Sequence, residues 1–366
     1  MRIIVIIFLA SIATSTMAQK YSNEFLAIGV SAKAQAMGNA QVAHIQDATA
    51  GFWNPAGLAN LEGDMQVSLM HAEWFASIGK YDYLGIAKPL SDGKRTLGLS
   101  LIRFGIDNIP NTLSLYEEDG TINYDNISPF SAVDYAAIFS YAQKLGKEGL
   151  SVGGNVKIIH RSIGPFADAW GFGLDVGLQY KTKDFIFGVM GKDITSTINA
   201  WSFNFTEEEK QVLQLTGNEI PISSTEATLP RIILGAAYQK RFNKIGVLAE
   251  LNIDVTTDGE RNVLASADPF SFDPVFGFEL DYNQKVFLRG GVNTIQQETD
   301  LTGSQFWSVN PNVGVGVKLG GLRIDYAFSN VGEQSNNTYS HVVSMLLDVN
   351  FEYLKRAMKA AERDYD

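Results

Sequence analysis

From about residue 64 onward the chain alternates between bulky apolar positions and small or polar ones. Phe172, Leu174, Val176, Leu178 and Tyr180 interleave with Gly171, Gly173, Asp175, Gly177 and Gln179, which puts one kind of residue on each face of an extended strand. Ile245, Val247, Ala249, Leu251 and Ile253 repeat the pattern against Gly246, Glu250, Asn252 and Asp254, with Leu248 as the exception. Leu322, Ile324, Tyr326 and Phe328 do so against Arg323, Asp325 and Ser329. Such runs predict fourteen strands, near 65–74, 81–89, 95–104, 132–142, 149–160, 170–180, 184–191, 230–240, 245–254, 275–282, 286–293, 312–319, 322–328 and 341–350. Strands of about ten residues with one apolar and one wetter face suit a barrel in a bilayer, with lipid outside and a lumen within.

The links between these strands alternate in length. Short ones at 91–94, 143–148, 181–183, 241–244, 283–285 and 320–321 separate long ones near 105–131, 192–229, 255–274, 294–311 and 329–340, with only the 75–80 and 161–169 links shorter. Outer-membrane barrels turn tightly on the periplasmic side and carry long loops outside, whereas a soluble β-sandwich has no reason to sort its links. The expected fold is therefore all-β, a 14-stranded antiparallel transmembrane β-barrel over 65–350. It would sit in the cell outer membrane, surrounded by outer-membrane lipid, with both chain ends in the periplasm. Expected lumen-facing polar residues are Lys157, Asp175, Glu250, Arg289, Lys318, Arg323 and Asp325. Their mixed signs fit mutual pairing that fixes an inner segment better than a path for solute.

The ends of the chain break the pattern. Arg2, the apolar run Ile3 to Ala13 and the small residues up to Ala18 predict a signal peptide at 1–18, too short to cross a bilayer as a helix. Phe351, Leu354, Met358 and Ala361 share one helical face, so 351–366 is expected to be a short periplasmic helix. A net charge of -11 and a pI of about 4.9 argue against binding phosphate backbones, so no nucleic acid is expected as a partner. The absence of cysteine excludes disulfides and thiolate metal sites. No later apolar run is long enough for a membrane-crossing helix. His44, His71, His160 and His341 show no metal-ligand spacing, and neither a nucleophile elbow nor a phosphate loop is present. Catalytic residues, metal and cofactor are accordingly expected to be lacking. His71 and Glu73 share a strand face and read as a rim or lumen pair.

Residues 19–64 do not alternate and are rich in Ala and Gly. Small residues let backbone pack closely, which suits a hatch inside the lumen, and Asn54-Pro55 marks a turn. Met37-Gly38-Asn39-Ala40, then Asp47, then Trp53-Asn54-Pro55-Ala56-Gly57 resemble the N-terminal hatch of the FadL superfamily of fourteen-stranded outer-membrane barrels. With Phe52 before Trp53, the string looks closest to the PorV/PorQ branch of Bacteroidota, although Ala36 and Lys33 stand where Gly and Arg are usual. That branch implies a component of type IX secretion or surface attachment, working through other outer-membrane or secretion-machine proteins. The wider superfamily implies instead a transporter that takes up hydrophobic small molecules and releases them sideways through a wall opening. An accessory barrel of another outer-membrane assembly is the third reading.

Overall fold

The computed structural model describes residues 22–351, apart from 75–76, 118–120, 147, 221–222, 258, 301–302 and 331–338. The expected leader at 1–18 and all of the expected tail helix beyond Phe351 lie outside the described residues. The strands are β1 (Met65–Trp74), β2 (Gly79–Pro89), β3 (Arg95–Asn111), β4 (Ser128–Lys144), β5 (Leu150–Ile163), β6 (Ala167–Thr182), β7 (Phe185–Lys192), β8 (Thr197–Phe203) and β9 (Ser223–Thr228). They continue as β10 (Arg231–Phe242), β11 (Ile245–Thr256), β12 (Ala265–Ala267), β13 (Phe270–Tyr282), β14 (Val286–Thr299), β15 (Gln305–Leu319), β16 (Leu322–Asn330) and β17 (Tyr339–Val349). Neighbours pair antiparallel, and β1 pairs with β17 from Met65↔Val349 to Glu73↔His341, which closes the ring. β8, β9 and β12 lengthen the wall at its long-loop end, so the barrel proper has fourteen strands.

The alternation expected from the sequence sets which side chains face out. On β6, Phe172 is 53% and Val176 47% exposed, while Asp175 and Gln179 between and below them are buried at 4% and 0%. A belt of exposed Leu, Val, Ile and Phe around every stave is intelligible only against lipid. No helix among the described residues is long and apolar enough to cross a membrane. The tight turns adopt left-handed backbone, with φ of 54° and 56° at Asn283 and Gln284, as two-residue hairpin loops require. In the turn at 91–94, Asp92 accepts the backbone N–H groups of Lys94 and Arg95 at 3.0 Å each. The Lys94 N–H and the Arg95 side chain hold its carboxyl at about 2.

Several strands run well beyond their expected ends toward the long loops: β3 to Asn111, β14 to Thr299, and β15 from Gln305. Beyond the lipid both faces are wet, so no binary pattern marks these extensions. The expected loop at 192–229 contains the β8–β9 hairpin and a helix, Glu207–Leu215. That helix starts on a capping box in which Thr206 and Glu209 bond each other's backbone N–H groups.

Candidate functional site: the lumen and its charged cavity

The chain from Ser22 to Leu61 packs against the inward faces of the strands, and from Val30 to Ala59 all but Asn39 and Gln46 are buried. It folds as short helices at Ala32–Ala36 and Ala50–Trp53 and a 3-10 turn at Pro55–Asn60. Close approach is possible because glycines face it. A Cβ on Gly291 would lie 2.2 Å from the Met37 carbonyl carbon, one on Gly177 2.1 Å from Asn54 Oδ1, and one on Gly153 2.5 Å from the Pro55 carbonyl carbon. The wall glycines therefore do not leave the lumen open, as their small size suggests, but seat this segment. The same holds at Gly314, where a Cβ would stand 2.5 Å from that of Ala36.

The residues of the N-terminal motif converge in this segment. Asn54 Nδ2 donates to the carbonyls of Val42 (2.9 Å) and Leu178 (3.2 Å), while its Oδ1 accepts the Ala56 N–H and caps the turn that Pro55 begins. Trp53 Nε1 donates to the Val30 carbonyl at 3.1 Å. Gly38 has φ 61° with the Val292 backbone 3.0 Å from where its Cβ would be, and a Cβ on Gly57 would meet the Ile45 carbonyl oxygen at 2.1 Å. Met37 is fully buried, and its sulfur accepts from Gln41.

The inward-facing charges pair with one another and with the segment. Arg289 reaches Glu279 at 2.5 Å and Asp325 at 2.8 Å, and Arg323 bridges Asp325 (2.8 Å) to Asp47 (3.2 Å). Glu250 accepts the N–H groups of Ala43 (2.8 Å) and His44 (3.1 Å) and pairs with the His44 ring. Lys157 lies 2.7 Å from Asp175 and also pairs with Asp193. Lys318 sits apart: it is half-exposed and pairs with Asp348 near the short-turn end. His71 and Glu73 face outward, with His71 Nε2 and Glu73 Oε1 3.9 Å apart and both side chains at least half exposed, so their place is the outer rim and not the lumen. Among the described residues no group of three His, Asp or Glu side chains could hold a metal ion.

The wall is interrupted at one stave. β6 pairs with β7 up to Val176↔Gly191 and resumes with β8 at Phe172↔Ile198, so 173–175 face the longer stretch 192–197. The excess turns through Asp193 and Ser196, at φ 54° and 57°. Asp175 holds it by accepting the Asp193 N–H at 2.9 Å, and Asp193 in turn binds the Thr197 hydroxyl. Gly173 is required beneath, because a Cβ there would stand 1.9 Å from Thr197 Oγ1.

A cavity of about 370 Å³ lies beside this break, over Leu26, Phe52 and Ile138 and walled by Lys157, Lys192, Asp193 and Arg231. A second, of about 330 Å³, shares Glu24, Lys192 and Arg231 with it. Lys192 is 7% exposed, its ammonium 4.5 Å from the centre of the Phe52 ring and 5.7 Å from that of Trp53. Among the described residues it has no hydrogen-bond or ion-pair partner, although its neighbours Lys157 and Arg231 are both paired. Lys192 and Asp193 lie past the expected end of a strand, where alternation gives no signal. Glu279, between outward Phe278 and Leu280, was open to the same alternation argument as its partner Arg289.

No family model matches the sequence, and no curated protein does. Solved structures do. The toluene transporter TbuX of Ralstonia pickettii is 14% identical, with a TM-score of 0.53 over 88% of this chain and 99% of that one. The toluene transporter TodX of Pseudomonas putida is 16% identical, with a TM-score of 0.55 over 88% of this chain and 98% of that one. A Pseudomonas aeruginosa FadL homologue is 12% identical, with a TM-score of 0.51 over 87% of this chain and 98% of that one. The likeness is one of fold: these neighbours are FadL-like outer-membrane barrels.

Proposed function

We propose that this chain, folded as a FadL-like barrel and lodged in the outer membrane, carries small hydrophobic molecules across it, with the inner segment as its hatch. The observation that carries this reading is the cavity over Phe52 and Lys192 set beside the break between β7 and β8. Its volume falls in the range of about 300–1,000 Å³ that holds small ligands. Leu26, Phe52 and Ile138 give it an apolar floor, and Lys157 offsets one of the two charges of Asp175 and Asp193. Lys192, over the Phe52 ring and without an ion-pair partner among the described residues, would meet the polar head of an amphiphile. Exit through the interrupted wall would deliver an apolar solute into lipid, sparing it water. Solved barrels of this fold are described as toluene transporters and as a monoaromatic hydrocarbon channel, which supports the same reading.

A strain deleted for this protein is expected to take up toluene and long-chain fatty acids several-fold more slowly while exporting surface proteins normally. Complementation with Lys192→Met should restore toluene uptake more fully than that of the acid. Normal uptake with failed export would sink the transport reading.

A second reading has its own support. Tyr116 and Tyr124 in the link after β3 are 65% and 71% exposed, with Ile122 at 49% nearby. Apolar patches of this kind on a loop mark protein contacts. They favour a component of a secretion or surface-attachment machine, such as the PorV/PorQ-like barrels of type IX secretion, or an accessory barrel of another assembly. Its partners would dock at the loops, and the export arm of the same experiment decides it.

The orientation is testable because the sequence has no cysteine. Thr216→Cys, in the long link, should react with an impermeant maleimide on whole cells, and Lys183→Cys, in a tight turn, only after lysis. The reverse would turn the barrel over.

A further inference from the structure

We propose that the outer wall at β1 to β6 holds one phosphorylated, multiply acylated glycolipid of the outer leaflet, with an acyl chain in a groove over Ala137 and a phosphate at Arg103. The proposal rests on the membrane assignment and not on the transport reading. Two adjacent rows of outward residues define the site. In the first, Leu69, Leu84, Leu101, Ala137, Ile158 and Phe172 stand directly opposite one another on successive strands. Ala137 is the smallest of them, with the exposed rings of Tyr135 and Phe139 on either side of it along β4. The wall is hollowed there into a largely apolar depression of about 580 Å³.

The second row, one step nearer the long loops, is polar: His71, Asp82, Arg103, Tyr135, His160 and Trp170. Across the β1–β17 seam it becomes Val343, Tyr326 and Val315, so the charged and imidazole side chains of this row give way beyond the seam to Val and Tyr. The Arg103 guanidinium leans toward the loops, its Nη2 2.9 Å from where a Cβ on Gly105 would be, as a cation at a lipid boundary does. Asp82 meets it only at 3.4 Å and binds His71 more closely at 2.7 Å, and Tyr135 is its other hydrogen-bond partner, so of five guanidinium N–H groups some remain for a phosphate. His160 stacks on Trp170 with ring centres 4.4 Å apart, walling the site on the β6 side. Arg103 at the head of an apolar trench fits an anionic lipid better than a neutral one.

The test is native mass spectrometry of the barrel released from phosphatidylethanolamine nanodiscs doped with lipid A. The intact chain should retain one lipid A. Arg103→Gln should lower that retention about ten-fold. Ala137→Phe, which fills the groove without changing charge, should do the same, and unchanged gel mobility before and after heating would show both variants folded. Equal retention by the folded variants would overturn the proposal, as would equal retention of phosphatidylethanolamine or of dephosphorylated lipid A.

Discussion

Gly291→Val is expected to drive the inner segment from its seat and to lower the temperature at which the barrel unfolds. A Cβ at this position would stand 2.2 Å from the Met37 carbonyl carbon and 2.4 Å from the Gly38 nitrogen. Both are backbone atoms, so no rotamer change relieves the clash. Gly38 is itself pressed against Val292 at a positive φ of 61°, which removes the other route of escape. Overpacking a core costs about 1–3 kcal/mol where neighbours can shift and more where they cannot. Thermal unfolding followed by gel mobility, together with proteolysis near Met37, measures the effect. Gly146→Val, with nothing within 4 Å of its Cβ, is the control. A Gly291 variant as stable and as protease-resistant as that control would refute the account of the glycines as a seat.

Arg289→Met should destabilise the barrel by about 3–5 kcal/mol, the usual cost of removing one partner from a buried ionic group. Arg289 is 1% exposed and lies between Glu279 and Asp325, with its guanidinium 4.9 Å from the centre of the Phe287 ring. Its loss strands the Glu279 carboxylate and leaves Asp325 with Arg323 alone. Adding Glu279→Gln and Asp325→Asn to the same variant should recover much of the loss, because neutral partners carry a smaller burial cost. Urea unfolding in lipid vesicles reads the difference. A single variant no weaker than the triple would show that these charges do not hold the wall.

The barrel was legible in the sequence wherever a strand had lipid on one side and a packed lumen on the other, as along Phe172 to Tyr180. Leu248 shows why the rule has exceptions. It faces inward and packs with Met37, Ala43, Ile186 and Ala237, because the lumen here is filled with chain and its wall is dry at that point. Lys157, Asp175 and Arg323 could be placed on the inner face by alternation, but which residue pairs with which could not. His44 meets Glu250 across 206 residues, a distance no spacing motif records. Asp193 and Lys192 belong to an interruption of the pattern itself. The helix at Glu207–Leu215 is a different case: Thr206 and Glu209 stand in capping-box register in the sequence, inside a stretch that shows no strand alternation.

The seam between β1 and β17 also sets an order of events. Residues 65–73 must wait for residues 341–349 before the ring can be sealed, so closure is among the most non-local pairings of the molecule. The segment it encloses leads directly into β1. Once the seam has formed, release of that segment means breaking strand pairs or dragging the buried Asp47 carboxylate along a bore whose glycines lie against its backbone. Its persistence would then be a matter of barrier height more than of affinity. A copy of residues 22–64 supplied as a separate peptide to a closed, segment-less barrel should fail to enter on any laboratory timescale.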